Sequence, residues 1–156
     1  GYYTVLTYDL AETMPISEEF LSDEKTIEKG TIVTLDSKGK VKPSETAYDT
    51  KAVGVVSSNP GVVLEGNNAQ IMNGNYTINP KKPAIALAGR VPTKVTNENG
   101  NIGVGDLITT SSKKGYGMKC TLENQEEKTD CMLSIIGRAM KPCEEKECTI
   151  MVKIGQ

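Results

Sequence analysis

The segment PAIALAGRVPTKVTNENGNIGVGDLITT, residues 83–110, decides the fold. Ile85 and Leu87 alternate with Ala84, Ala86 and Ala88, so one face suits a core and the other a close neighbour. After Gly89 the alternation continues, with Val91, Thr93 and Val95 on one face and Arg90, Pro92 and Lys94 on the other. That is the pattern of a β element with one wet side. A turn-rich connection then leads into the run Gly105-Asp106-Leu107-Ile108. Two abutting strands and a glycine turn into a third make this stretch the centre of an all-β fold.

The rest of the composition agrees. The chain has 156 residues, one Phe and no Trp, so the core must be built from Val, Ile, Leu and Met, which favours sheets. A net charge of −2 and scattered lysines give no field for nucleic acid, which is not expected as a partner. The absence of His removes the commonest general base and the commonest metal ligand, so any chemistry falls to carboxylates, hydroxyls, Lys or Cys. No metal or cofactor is expected. No apolar run approaches the length of a membrane-spanning helix, so membrane insertion is not expected. A start at Gly1 leads to the expectation of a processed product or an excised fragment.

Outward from the centre, Tyr2–Tyr8 reads as an N-terminal strand, and Ser17–Lys29 as a loop with one helical turn. Thr31–Leu35 and Val41–Lys42 read as a hairpin, Ala52–Ser57 as a buried strand whose Gly54 marks a bulge or close backbone crossing, and Val62–Leu64 as a short strand. Residues 66–82 are expected to project as an arm, with Asn73-Gly74 turning a hairpin between Ala69–Met72 and Asn75–Ile78. Gly115–Cys120, Met132–Met140 and Thr149–Ile154 follow, the last a closing strand. The whole is expected to be one β domain over residues 1–156: strand 1–8, first half 9–65, arm 66–82 and second half 83–156. The halves echo each other. Gly30-Thr31-Ile32-Val33 precedes Ala52-Val53-Gly54-Val55-Val56, as Gly105-Asp106-Leu107-Ile108 precedes Ile135-Ile136-Gly137-Arg138-Ala139. Two such halves suit a small barrel or β-clip.

Cys120, Cys131, Cys143 and Cys148 allow three disulfide connectivities. Short loops cost least to close, so Cys120–Cys131 and Cys143–Cys148 is the expected pairing, with four free thiols or a four-thiolate zinc site as alternatives. The spacing of the first pair is too wide for the usual zinc knuckle. Disulfides would point to an extracytoplasmic setting or a thermophilic source.

Asp9-Leu10-Ala11-Glu12, the run at 30–36, Val53–Ser57 with Asn59-Pro60-Gly61, Leu87–Pro92 and Gly105–Thr109 form an ordered set over nearly the whole chain. In order and spacing the set resembles the C-terminal intramolecular-chaperone, auto-processing domains of phage neck and tail appendages, and related β domains of fibre-like bacterial surface proteins. The resemblance implies a β module that helps a homotrimeric fibre fold or caps its end, on a virion, at a cell surface or outside the cell. It also implies, for some members, one self-cleavage near the start of the domain served by acids; Asp9 and Glu12 are the matching positions. The chain differs in having Leu6-Thr7-Tyr8 where self-cleaving members carry an Asn-Ser pair, and in its cysteine-bearing loops.

Asp9 and Glu12 are three apart, so a helical turn would bring their carboxylates together for acid–base work; otherwise they are a strand-end cap and a surface acid. The loops GNIGVG (100–105) and GYG (115–117) lack the strand–loop–helix context of a phosphate cradle and read as turns. The two arginines, Arg90 and Arg138, sit beside glycines and are candidates to meet acids across an interface or simply to stay solvated. Tyr2, Tyr3, Ala84, Ala86, Ala88 and Tyr76 are expected at that interface, since small side chains admit a second backbone and the arm can reach a neighbour. A surface glycan is a candidate ligand of the arm. The function read from the sequence is a structural and assembly module of a fibre; a single-turnover autoprotease and a carbohydrate-binding tip are the alternatives.

Overall fold

A computed structural model describes residues 9–21, 27–72, 74–77 and 79–155; the expected strand at Tyr2–Tyr8 lies outside them. The strands are β1 (Asp9–Thr13), β2 (Ile32–Leu35), β3 (Val41–Pro43), β4 (Ala52–Val56), β5 (Val62–Glu65), β6 (Asn68–Ile71), β7 (Ala84–Thr96), β8 (Leu107–Thr110), β9 (Gly117–Lys119), β10 (Gly137–Ala139) and β11 (Glu147–Ile154). A single helical turn, Glu18–Phe20, follows β1, and one helix, α1 (Gln125–Ser134), stands between β9 and β10. The fold is all-β.

The two abutting strands of the central segment are one, β7, which runs through Gly89 at a φ of +104°. Its second half pairs with β11 from Thr96–Glu147 to Gly89–Ile154, and β11, β10, β8 and β9 return to β7 at Val95–Gly117. Five strands thus close a small barrel, which removes their free edges. Val91, Val95, Ile108, Val152 and Ile154 fill its interior, as the alternation predicts. The first half of β7 pairs with β1 and β4, and there both faces are covered: Ala86 belongs to the barrel core, while Ile85 packs with Ile16, Val33, Val41 and Val56 in a second core.

The echo between the halves is a repeat of pairing. Gly54 in β4 faces Val33 in β2, and Gly137 in β10 faces Ile108 in β8. Each glycine lies against a neighbouring backbone. A Cβ at Gly54 would stand 2.4 Å from the Ala86 carbonyl oxygen, and one at Gly137 2.1 Å from that of Lys153.

Two expectations are corrected. The hairpin of the arm turns at Gly66-Asn67, not at Asn73-Gly74: Val62–Glu65 pairs with Asn68–Ile71, and Asn75 only closes a turn onto the Met72 carbonyl at 2.8 Å. Val62 and Leu64 supply a ready partner strand in the β5 sheet, which a pairing of 69–72 with 75–78 would forgo; Asn73 and Ile78 lie outside the described residues. Residues 125–134, whose end falls in the expected segment Met132–Met140, form α1. Asn124 caps it, its side chain accepting from Glu127 N at 2.9 Å, while the Glu127 carboxylate accepts from Glu123 N at 2.7 Å. Glu126 and Glu127 also suit the positive end of the helix dipole.

Both disulfides form as expected, Cys120–Cys131 and Cys143–Cys148. The first ties α1 to the end of β9, and the Ser134 hydroxyl adds a 2.7 Å hydrogen bond with that of Thr109 in β8. Reduction of the bridges is expected to lower the unfolding free energy by about 2–3 kcal/mol for each, read from urea midpoints with and without reductant; an unchanged midpoint contradicts this. Gly54→Ala is expected to cost about 1–3 kcal/mol through overpacking, measured in the same titration, and a neutral result would show that β4 moves freely away from β7.

Candidate functional site

β1 lies between β5, which it parallels, and β7, which it opposes. Its alternation turns Asp9 and Ala11 inward and Leu10 and Glu12 outward. Extended backbone therefore places the two acids on opposite faces, and they do not form the carboxylate pair that a helical turn would have made. Glu12 is a surface acid. Asp9 is 8% exposed and stands opposite Gly89, which contributes no side chain to the space before it.

That space is a cavity of about 340 Å³ lined by Asp9, Ser57, Asn59, Arg90, Pro92 and Met151, among others. The Asp9 carbonyl accepts from Gly61 N at 2.8 Å, which fixes the loop Asn59-Pro60-Gly61 over the strand. Burial pushes the Asp9 carboxyl above the usual aspartate range; the nearby Ser57 hydroxyl opposes the rise. It does so without a well-formed hydrogen bond, for neither Asp9 Oδ2 nor Ser57 Oγ has a partner among the described residues. A buried acid and a buried hydroxyl, both unsatisfied, thus face the same cavity beside an arginine. Such orphaned polar atoms are costly, and they occur where chemistry or a missing partner accounts for them.

Ser57 is the member of this site that sequence reading did not single out. The signal available was its place at the end of the buried β4, next to the Asn59-Pro60-Gly61 turn. A neighbouring cavity of about 540 Å³ shares Ser58 and Pro92 with the first and is lined by Glu28, Lys29 and Lys94. There Lys94 forms an ion pair with Glu28, whose carboxyl it holds below the usual range, and also lies 5.6 Å from the Tyr116 ring centroid.

The expected interface residues divide. Ala84 and Ala86 are buried by the chain's own β1 and β4, so their small side chains serve internal packing and leave no face for a second copy. Ala88 is exposed. The Tyr76 hydroxyl accepts from Ala84 N at 3.1 Å, which ties the arm back to β7. Tyr2 and Tyr3 lie outside the described residues. β6 is exposed on both faces, with Ile71 77% exposed.

A family model described as Peptidase_G2, IMC autoproteolytic cleavage domain, matches residues 8–101, more than half of the chain, and includes every residue lining the Asp9 cavity except Met151. No curated protein matches the chain.

The raised Asp9 pKa has a consequence for stability. Between the ordinary aspartate value of about 4 and the higher folded value, the folded chain keeps a proton that the unfolded chain has lost, so stability falls as pH rises through that window. Asp9→Asn is expected to be more stable than the wild type at about pH 7, with the advantage shrinking toward about pH 3. Urea titrations at both pH values check this, and a difference independent of pH contradicts it.

Proposed function

Because the chain belongs to the Peptidase_G2 family of intramolecular-chaperone autoproteolytic cleavage domains, we propose that it is the assembly module of an extracellular or virion-borne fibre. It guides a homotrimeric fibre into register and then severs the chain once ahead of β1. The observation that carries this reading is Asp9: an acid buried without a full set of partners, near the start of the matched region, facing a cavity.

In the cleavage step water attacks the carbonyl carbon of the peptide bond to be cut, and the Asp9 carboxylate takes its proton. Arg90, on the cavity wall, steadies the charge that develops on the carbonyl oxygen. The carbon–nitrogen bond then breaks, and the proton passes from Asp9 to the departing amine. A carboxyl whose pKa is raised by burial is a stronger base when ionised and keeps its proton closer to neutral pH, which suits both halves of the exchange. Glu12, on the outer face, has no part in it.

A precursor carrying its native upstream sequence, purified and followed by intact mass, tests this. The wild type is expected to yield a fragment beginning at or before Asp9, Asp9→Asn to stay whole, and Glu12→Gln to be cut as the wild type is. A precursor that remains intact, or an Asp9→Asn variant cut at the wild-type rate, overturns the self-cleavage.

A further inference from the structure

Three cations stand side by side on the outside of the barrel. Arg138 in β10 is the direct cross-strand partner of Lys153 in β11, which is the direct partner of Arg90 in β7. All three are exposed. Like charges directly opposite on neighbouring strands destabilise a sheet. Among the described residues no acid lies within ion-pair distance of Arg138 or Lys153. Arg138 is held in place by donating to the Gly105 carbonyl at 2.9 Å, and a cavity of about 260 Å³ opens against it and Lys153. Two residues away in the chain from each cation lies an apolar row, Met140 just past the end of β10 with Met151 and Pro92; Met140 N bonds the Met151 carbonyl at 2.9 Å and Met151 pairs with Pro92. The barrel wall thus carries a basic row beside an apolar row.

The same chain carries the complement. From Glu123 to Ser134, α1 and its approach hold four acids and one lysine. Glu126, Asp130 and Leu133, spaced by four and three, share one helix face. The helix buries only Cys131 and Ser134, while Met132 and Leu133 are 74% and 64% exposed. A ten-residue helix that buries so little against its own barrel presents a face without a partner among the described residues.

We infer that the acidic, Leu-ended face of α1 docks on the basic and methionine rows of a neighbouring copy: Glu126 and Asp130 meet Lys153 and Arg138, and Leu133 meets Met140 and Met151. The contact joins two different surfaces, so it is heterologous, the kind that closes into a ring under rotation. It rests on the homotrimer reading above and gives that reading a defined contact in place of Ala84 and Ala86, which are internal.

Light scattering at micromolar concentration tests it with reversed charges. Arg138→Glu with Lys153→Glu, and separately Glu126→Lys with Asp130→Lys, are each expected to weaken association by about tenfold or more. The variant carrying all four changes is expected to recover it. Circular dichroism confirms folding in each case, and the fourfold variant bears the same helix-terminal cost as the second pair, so recovery cannot come from the helix alone. Association unchanged by either pair, or no recovery in a folded fourfold variant, overturns the docking while leaving the homotrimer on another surface. A wild type that is monomeric throughout overturns both.

Discussion

The contact of Gly54 with the Ala86 carbonyl is the constraint on which the fold turns. β7 must serve two cores at once, giving Ala86 to the barrel and Ile85 to the second core, and β4 must lie close enough to seal both. Only a residue without Cβ permits that approach. Gly137 meets the same demand against Lys153 on the barrel's other side. Close packing of this kind leaves little slack, since interiors are filled nearly to crystalline density. The two cores are filled mainly by Val, Ile and Ala side chains, as a chain with one Phe and no Trp requires.

The candidate site follows from the same strand. β7 presents Gly89 opposite Asp9 and turns Arg90 outward one residue later, so the empty space before the acid and the cation on its rim are set by consecutive residues. The loop after β4 brings Ser57 to the other side. The acid is strained electrostatically and not by backbone: burial raises its pKa, and its stabilising partners are few.

Much of this was legible in the sequence because it rests on short-range pattern. The alternation of Val91, Thr93 and Val95, the glycine crossing at Gly54, the hairpin after Leu35 and both disulfide pairs follow from periodicity, turn chemistry and loop closure. What was not legible depends on partners distant in sequence. Ala84 and Ala86 look like a free small-residue face until β1 and β4 cover them. Asp9 and Glu12 look like a pair until extended pairing with β7 separates their faces. Asn73-Gly74 is the stronger local turn signal of the arm, yet Val62 and Leu64 set the register and the turn falls at Gly66-Asn67. For α1 the local signal is present in Asn124 and Glu127, but the helix buries only Cys131 and Ser134, so it shows no clear apolar stripe in the sequence.

The partners of β1 carry a further consequence, for the order of events during folding. Leu10 pairs with Val62 and Asp9 with Gly89, so the described partners of β1 all lie far along the chain. Contacts that close such long loops form late, after the entropy of closure has been overcome by structure elsewhere. Until β1 is enclosed between β5 and β7, Asp9 is an ordinary solvated carboxylate. Its altered acidity comes into being only when β1 docks, so the molecule carries in one side chain a record of whether that docking has taken place.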